Sequence, residues 1–191
     1  RHTRAAAGQG PGVSISEANR EAAFRALFAD VYADALRFAQ RRADRDVAEE
    51  AVADAMLVVW RRFSEAPHTP EARRAWVFGV VRGCLLNARR GSQRRAALAV
   101  RLAHSPPVDS LPADASLLRL DIARRWPELS AEHQEALSLA VFEQLTASEA
   151  ACVLGISTTA YRARLSRARR ALRALLSDDS LPHLYPVTET S

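Results

Sequence analysis

Six arginines near the carboxyl end of the chain are the side chains best suited to chemistry, and that chemistry is the recognition of an anion. They lie between Ser157 and Leu176, where no acidic residue accompanies them. A guanidinium group donates two parallel hydrogen bonds to a phosphate or to the edge of a guanine. The segment therefore predicts a nucleic-acid partner, provided that its arginines are carried by a suitable element.

The element that carries these arginines has the pattern of a helix, a tight turn and a second helix. Thr146 can cap the first helix, and Glu149, three residues later, completes a capping box. Gly155 supplies a left-handed residue at the end of that helix, and Ser157 caps the next one. This is typical of a helix-turn-helix whose second helix lies in the major groove of DNA. A solvated basic helix in an ordinary bundle is the alternative, but it does not account for the register of caps, turn and charge.

A second concentration of arginine lies in the first half of the chain. Residues 73–95 contain seven arginines and no acid, and Arg82 and Arg89 share one face of a predicted helix. This pattern favours a second nucleic-acid surface. Trp76 lies beside it and could stack on an unpaired base at about 1–3 kcal/mol, although most tryptophans of a small helical domain belong to the core.

The acidic residues are concentrated in a different helix. Residues 44–54 contain five acids and one arginine, and Glu50 and Asp54, four residues apart, share an exposed face. This face is either simply solvated or a docking surface for a basic protein.

The sequence contains no pattern that indicates catalysis. It has no glycine-rich phosphate loop, no zinc-finger spacing and no nucleophile elbow. The histidines are scattered, and none has a partner at the spacing of metal ligands. We therefore expect neither an enzyme nor a metal or cofactor site.

Composition favours a cytoplasmic protein with an anionic partner. The net charge is +5, and all 27 basic residues are arginine. No apolar run is long enough to span a membrane, and the first residues lack the features of a signal peptide. Cys84 and Cys152 each occupy an apolar position of a predicted helix, so we expect buried, reduced thiols.

Helical periodicity and a proline-bearing stretch, SPPVDSLPAD, predict an all-α protein of two small domains joined by a flexible linker. The second domain contains the helix-turn-helix. The predicted divisions are a disordered segment at 1–18, a first domain at 19–95, the linker at 96–115, a second domain at 116–176 and a tail at 177–191.

Two parts of the chain resemble conserved regions of bacterial sigma factors. The sequences AEEAVADAMLVVW (48–60) and RRAWVFGVVRGCLLNARR (73–90) resemble region 2, and residues 129–172 resemble region 4. With only these two domains and a short linker, the chain resembles an extracytoplasmic-function (group IV) sigma factor over most of its length.

The resemblance implies a promoter-specificity subunit that binds core RNA polymerase, recognises the −35 and −10 elements, melts the promoter and starts transcription. It implies that the acidic face, with Glu50 and Asp54, docks on the β′ clamp helices, and that the β flap is a second contact. It also implies an anti-sigma partner, which could hold the protein at the membrane without inserting it there.

The resemblance also assigns residues to the two promoter elements. The residues assigned to the double-stranded −35 element are Thr158, Thr159, Arg162, Arg164 and Arg167. Among them, Arg162 is the leading candidate for a guanine contact. The residues assigned to the melted −10 element are His68, Arg74, Trp76, Arg82, Asn87 and Arg90. Loop residues 64–71 match the segment that receives a flipped base. Relatives often carry glycine where Thr159 stands, so the resemblance does not predict the base sequence of the promoter.

Two other functions compete with this interpretation. A stand-alone helix-turn-helix regulator needs only the second domain, so the separate basic domain and the linker are superfluous for it. A protein that uses its arginines to bind an acidic protein would not bind DNA with a steep dependence on salt.

Overall fold

A computed structural model describes residues 17–91 and 113–178; for 89–91, 113–117 and 178 it describes the backbone alone. Within this part of the chain every regular element is helical, which confirms the predicted all-α class. The helices are α1 (Glu17–Gln40), α2 (Arg45–Arg61), α3 (Pro70–Gly91), α4 (Ala113–Arg125), α5 (Ala131–Val141), α6 (Ala147–Leu154) and α7 (Thr158–Asp178). Short 3₁₀ turns follow α2 (Phe63–Glu65) and α4 (Trp126–Glu128).

The first domain is a bundle of α1, α2 and α3 around an apolar core. The inward face of α2 is the one that the helical spacing predicts, from Ala48 through Val52 to Val59, and each of these three residues is buried. Phe38 of α1 stacks on Phe78 of α3, with ring centroids 4.8 Å apart. This stacked pair fixes α1 against α3 and brings the end of α1 close to the second domain.

The second domain is built on local capping interactions. The Ser130 side chain accepts a hydrogen bond from the backbone of His133 at the start of α5. Thr146 and Glu149 form the predicted capping box of α6, and Gly155 ends that helix in the left-handed conformation, with a φ of 66°. The Ser157 hydroxyl accepts a hydrogen bond from the backbone of Ala160 and caps α7. These contacts confirm the helix, the turn and the second helix that the sequence predicts.

The two domains pack directly against each other through α3 and α6. A methyl group at Gly79 of α3 would lie 3.7 Å from the Val153 Cα of α6, so the two helix backbones come close together. A glycine at position 79 inside a predicted helix allows another helix or a DNA backbone to approach closely, but the sequence predicts two domains on a tether and does not identify α6 as the neighbour. The interface therefore belongs to the tertiary structure alone.

The ends of several elements differ from the predicted divisions. The backbone of α4 already begins at Ala113, whereas the predicted linker runs over 96–115. The rest of that linker, most of the N-terminal segment at 1–18 and most of the tail at 177–191 lie outside the described residues.

Gly155 gives a direct test of the turn. Alanine at this position keeps a positive φ that costs an L-residue roughly 1–2 kcal/mol, although no neighbouring atom obstructs the new methyl group. We expect Gly155→Ala to lower the midpoint of thermal unfolding followed by circular dichroism.

Gly83→Ala is the matched control for this substitution. Gly83 lies inside α3 with open space around its Cα, so alanine there favours the helix by up to about 1 kcal/mol. Equal shifts in the midpoint for the two variants would contradict the strain at Gly155.

Candidate nucleic-acid interface

The exposed face of α7 carries a continuous row of polar side chains. Arg162, Ser166, Arg169 and Arg173 follow one another at helical spacing, and all four are exposed. The opposite face is anchored by Tyr161 and Ala168, which are buried. The row forms a rigid basic stripe that fits the width of a major groove, and we call these four residues the α7 stripe.

Tyr161 fixes the orientation of this stripe. Its hydroxyl donates a hydrogen bond to the carbonyl oxygen of Ala136 in α5, at 3.0 Å. Burial raises the pKa of the Tyr161 phenol, so the group stays neutral and keeps its proton for this bond. The α7 helix is therefore held by a directional contact as well as by apolar packing.

The structure separates the residues that the sequence assigns to double-stranded DNA. Arg162 and Thr159 are exposed on the side of the stripe, but Arg164, two residues from Arg162, points toward the other side of the helix. There its guanidinium lies 3.7 Å from the Glu132 carboxylate of α5. Thr158 is half-buried, and Arg167 is exposed at the other edge of the helix. The residues assigned from the sequence do not include Arg169 and Arg173, although both follow Arg162 at helical spacing.

Two of the arginines assigned to melted DNA lie at the contact between the domains. Arg74 contacts Asp34 at 2.9 Å and donates a hydrogen bond to the carbonyl oxygen of Glu143 at 2.8 Å. The Arg82 Nε lies 3.8 Å from the Glu135 carboxylate, and its side chain is 25% exposed. Trp76 is half-buried beside them. In this conformation the second domain partly covers the surface that α3 would offer to a single strand.

Of the remaining residues of that set, the structure describes the side chains of His68 and Asn87. His68 is exposed in the loop before α3, and Asn87 is exposed near the end of α3. Arg73 braces the loop by donating hydrogen bonds to the carbonyl oxygens of Pro67 and His68, each at 3.0 Å. The side chain of Arg90 lies outside the described residues.

An acidic and apolar groove runs between α2 and α3. Glu50 and Asp54 line it together with Leu57, which is 56% exposed, and Arg61 continues the same row. An exposed leucine beside two carboxylates suits a partner helix that carries both apolar and basic side chains. The sequence indicated the two acids but not Leu57, because a leucine in an amphipathic helix is usually assigned to the core.

The two cysteines occupy one cleft between the domains. Cys84 lines the α3 side and Cys152 the α6 side of this cleft. The expectation that both thiols are buried is wrong, because Cys152 is exposed and Cys84 is half-buried. The short helix α6 buries Ala151 and Val153 but turns the intervening residue outward.

The described residues contain neither a candidate metal site nor a candidate membrane-spanning helix. Residues 17–91 and 113–178 hold no group of three side chains that could ligate a metal ion. No helix in these ranges is both long enough and apolar enough to cross a bilayer.

Three comparisons identify proteins that this chain is similar to. The family model "Sigma-70, region 4" matches residues 119–172. The ECF RNA polymerase sigma factor SigL of Mycobacterium tuberculosis is 31% identical over 169 residues, which are 87% of this chain and 96% of that protein.

Two solved structures share the fold. The sigma factor RpoE, in complex with the anti-sigma factor NepR from Bartonella quintana, is 23% identical with a TM-score of 0.60, and the match covers 82% of this chain and 98% of that one. CnrH, in complex with the cytosolic domain of CnrY, is 25% identical with a TM-score of 0.55, and the match covers 84% and 91% of the two chains.

The two thiols are expected to differ in reactivity. Burial, together with the nearby Asp54 carboxylate, raises the pKa of the Cys84 thiol. Because the thiolate is the reactive form, iodoacetamide at pH 8 should alkylate Cys152 well before Cys84. Mass spectrometry of peptides from timed samples measures both rates. Alkylation in guanidinium chloride is the control, where the two rates should converge, and equal rates in the native protein would contradict the placement of the two residues.

Proposed function

We infer the working surfaces of this chain from the premise that it belongs to the extracytoplasmic-function sigma factors and is a promoter-specificity subunit of RNA polymerase. The α7 stripe is proposed to read the −35 element as double-stranded DNA. The groove between α2 and α3 is proposed to dock on core polymerase, and α3 with the preceding loop is proposed to hold the melted −10 strand.

The observation that carries the −35 assignment is the row of exposed guanidinium groups on a helix anchored from behind. Arg162 lies in the first turns of α7, where the recognition helix of a helix-turn-helix contacts base edges. Arg169 and Arg173 lie farther along the same face and suit contacts to the phosphate backbone. Thr159 is exposed beside Arg162 and is the nearest candidate for a second base contact.

The docking assignment is supported by charge and shape together. Glu50, Asp54 and Leu57 recur at helical spacing on one exposed face. We propose the β′ clamp helices of core polymerase as the partner of this face and the β flap as the partner of the second domain. A stand-alone regulator has no use for such a face, so it is the observation that favours a polymerase subunit.

For the −10 element, the proposed contacts are His68, Arg74, Trp76, Arg82, Asn87 and Arg90. The loop at 66–69 is braced from both ends: Arg73 holds its carbonyls, and the Thr69 hydroxyl accepts a hydrogen bond from the backbone of Ala72. A braced loop can present His68 to a flipped base, which gains stacking and edge hydrogen bonds in exchange for a few kcal/mol of unstacking.

The proposed function needs no chemistry by the protein itself. The chain supplies binding free energy, and the polymerase forms the phosphodiester bonds, so we propose a cytoplasmic, nucleoid-associated subunit without a cofactor. The CnrH structure holds the cytosolic domain of CnrY, and the RpoE structure holds the anti-sigma factor NepR. We propose a partner of the same kind for this chain, one that covers its polymerase-facing surfaces.

The α7 stripe makes a prediction about two arginines on the same helix. Arg162→Ala should weaken binding of the reconstituted holoenzyme to promoter DNA by about 1–3 kcal/mol. In this variant, changing the base pair that Arg162 contacts should cause no further loss of affinity. Arg164→Ala removes the same charge from a side chain that faces Glu132, and should change affinity by less than about 0.5 kcal/mol. Competition binding with labelled promoter fragments measures both. Equal losses for the two variants would refute the stripe.

The docking groove makes a second prediction. Reversing both charges, Glu50→Arg with Asp54→Arg, should lower the affinity for core polymerase by roughly tenfold or more, because like charges then face each other. Glu17→Arg with Glu21→Arg reverses an equally spaced, exposed pair on α1 and should have little effect. Fluorescence anisotropy of labelled factor titrated with core measures both affinities. Unchanged affinity in the first double variant would reject this docking site.

A further inference from the structure

Three aromatic side chains pack together where the chain leaves α2 and enters the loop proposed to receive a flipped base. The Phe24 ring of α1 lies edge-on to Trp60 in the last turn of α2, with ring centroids 5.1 Å apart. It also lies edge-on to Phe63, at 5.9 Å. Phe63 begins the 3₁₀ turn that leads into the loop at 66–69. All three rings are half-buried, and we call them the aromatic support.

A second side chain of α1 holds the end of α2. The Arg20 guanidinium donates a hydrogen bond to the carbonyl oxygen of Trp60 at 2.6 Å, and it lies 4.5 Å from the centroid of the indole ring. Carbonyl groups in the last turn of a helix have few intrahelical partners, and the helix dipole favours a cation there. Trp60 is therefore held by α1 through its backbone as well as through its ring.

The 3₁₀ turn connects the aromatic support to the loop over a short distance. The backbone N–H of Ala66 donates a hydrogen bond to the carbonyl oxygen of Phe63 at 3.2 Å. The side chains of Arg62 and Glu65 pair at 2.6 Å across the same turn. A 3₁₀ turn rises by only about 2 Å per residue, so Ala66 lies close behind Phe63. A shift of the Phe63 ring is therefore passed on to the start of the loop.

The two ends of the loop are held by different helices. Arg73 of α3 fixes the carbonyl groups of Pro67 and His68, whereas Phe24 of α1 fixes Phe63. A side chain that contacts a flipped base must be held within about 0.5 Å of its productive position. Loss of the contact with α1 should therefore weaken capture of the base, although α1 itself does not have to reach the strand.

We propose that Phe24 is a positioning residue for the capture of a flipped base of the −10 element. It acts through Phe63, which sets the position of the loop, and Arg20 contributes by holding Trp60. The proposal rests on the function proposed for the loop. The contact between Phe24 and the loop can nevertheless be tested in the free protein, without DNA.

Hydrogen exchange tests the support of the loop in the purified full-length protein. Phe24→Leu keeps an apolar side chain but loses the edge contacts of the ring, so the backbone amide of Ala66 should exchange roughly three- to tenfold faster. Phe28→Leu is the matched control, because Phe28 lies one turn farther along α1 and stacks on Tyr32. Mass spectrometry of peptides covering 62–69 measures the rates. Equal exchange in the wild type and Phe24→Leu would overturn the support.

The consequence for DNA is tested with the reconstituted holoenzyme on promoter fragments whose −10 element is left unpaired. Single abasic sites are placed along the non-template strand, and competition binding measures the loss of affinity at each position. With the wild type, removal of the captured base should weaken binding about tenfold or more. With Phe24→Leu this loss should shrink to about threefold or less, because a misplaced loop gains little from the base.

Three observations control the DNA experiment. Phe24→Tyr keeps the ring, and Phe28→Leu leaves the aromatic support intact, so both should keep the loss of affinity seen with the wild type. Circular dichroism and the affinity for core polymerase check that each variant is folded and docks. A full abasic-site loss with folded Phe24→Leu, or an equal reduction of that loss with Phe28→Leu, would overturn the positioning role.

A double variant shows whether Phe24 acts through Phe63. Phe63→Leu alone should reduce the abasic-site loss, and Phe24→Leu with Phe63→Leu should reduce it no further, because residues in one chain of contacts have non-additive effects. Additive reductions would indicate that Phe24 contacts the strand directly and would overturn the indirect role.

Arg20 is tested against another arginine of the same helix. Arg20→Met removes the hydrogen bond to the Trp60 carbonyl but keeps an apolar side chain beside the indole ring, and it should reduce the abasic-site loss in the same way. Arg25→Met removes a side chain that is 74% exposed and pairs with Glu21, and it should have no such effect. Equal results for the two variants would contradict the contribution of Arg20.

Failure of the proposed function gives a different result. If no abasic site weakens binding of the wild-type holoenzyme, capture of a base by this loop is contradicted. The hydrogen-exchange comparison then still decides whether Phe24 supports the loop.

Discussion

The structure depends on one guanidinium group that has no contact with water. Arg42 lies over the ring of Phe38, 3.5 Å from its centroid, and donates a hydrogen bond to the carbonyl of the same residue at 2.7 Å. These contacts orient the group but do not neutralise its charge. The carboxylates of Glu135 and Glu143 do so from the second domain. Removing one partner of such a buried pair typically costs about 3–5 kcal/mol, because the other charge is left unpaired. The end of α1 therefore determines where α5 must lie.

The buried charge of Arg42 needs partners, and this need also explains why α5 is buried on more than one face. Six consecutive residues from Gln134 to Leu139 are buried, although a surface helix normally exposes one face. The apolar members face the second domain's own core, whereas Glu135 and Ser138 face the end of α1 and receive hydrogen bonds from Arg42. A polar face inside a protein is stable only when such partners are present. The polarity of this face marks α5 as half core helix and half interface.

The parts of the fold that the sequence predicts correctly are those set by local interactions. The capping box of Thr146 and Glu149, the positive φ of Gly155 and the buried face of α2 each follow from residues within a few positions of one another. The contacts of Arg41 and Arg42 join residues about a hundred positions apart, and neither capping nor periodicity reports such pairs. The outward turn of Cys152 was missed for a related reason. In a helix as short as α6, tertiary packing decides which apolar residue is left outside.

The two proposed DNA surfaces also differ in whether local or long-range contacts build them. The α7 stripe is built by one helix and its anchor Tyr161, so its geometry survives any movement between the domains. The α3 surface shares its arginines with the interface, and Arg82 can approach either the Glu135 carboxylate or a DNA phosphate, but not both at close range. In this conformation Glu135 therefore lies against the Arg82 side chain that we propose for the melted strand.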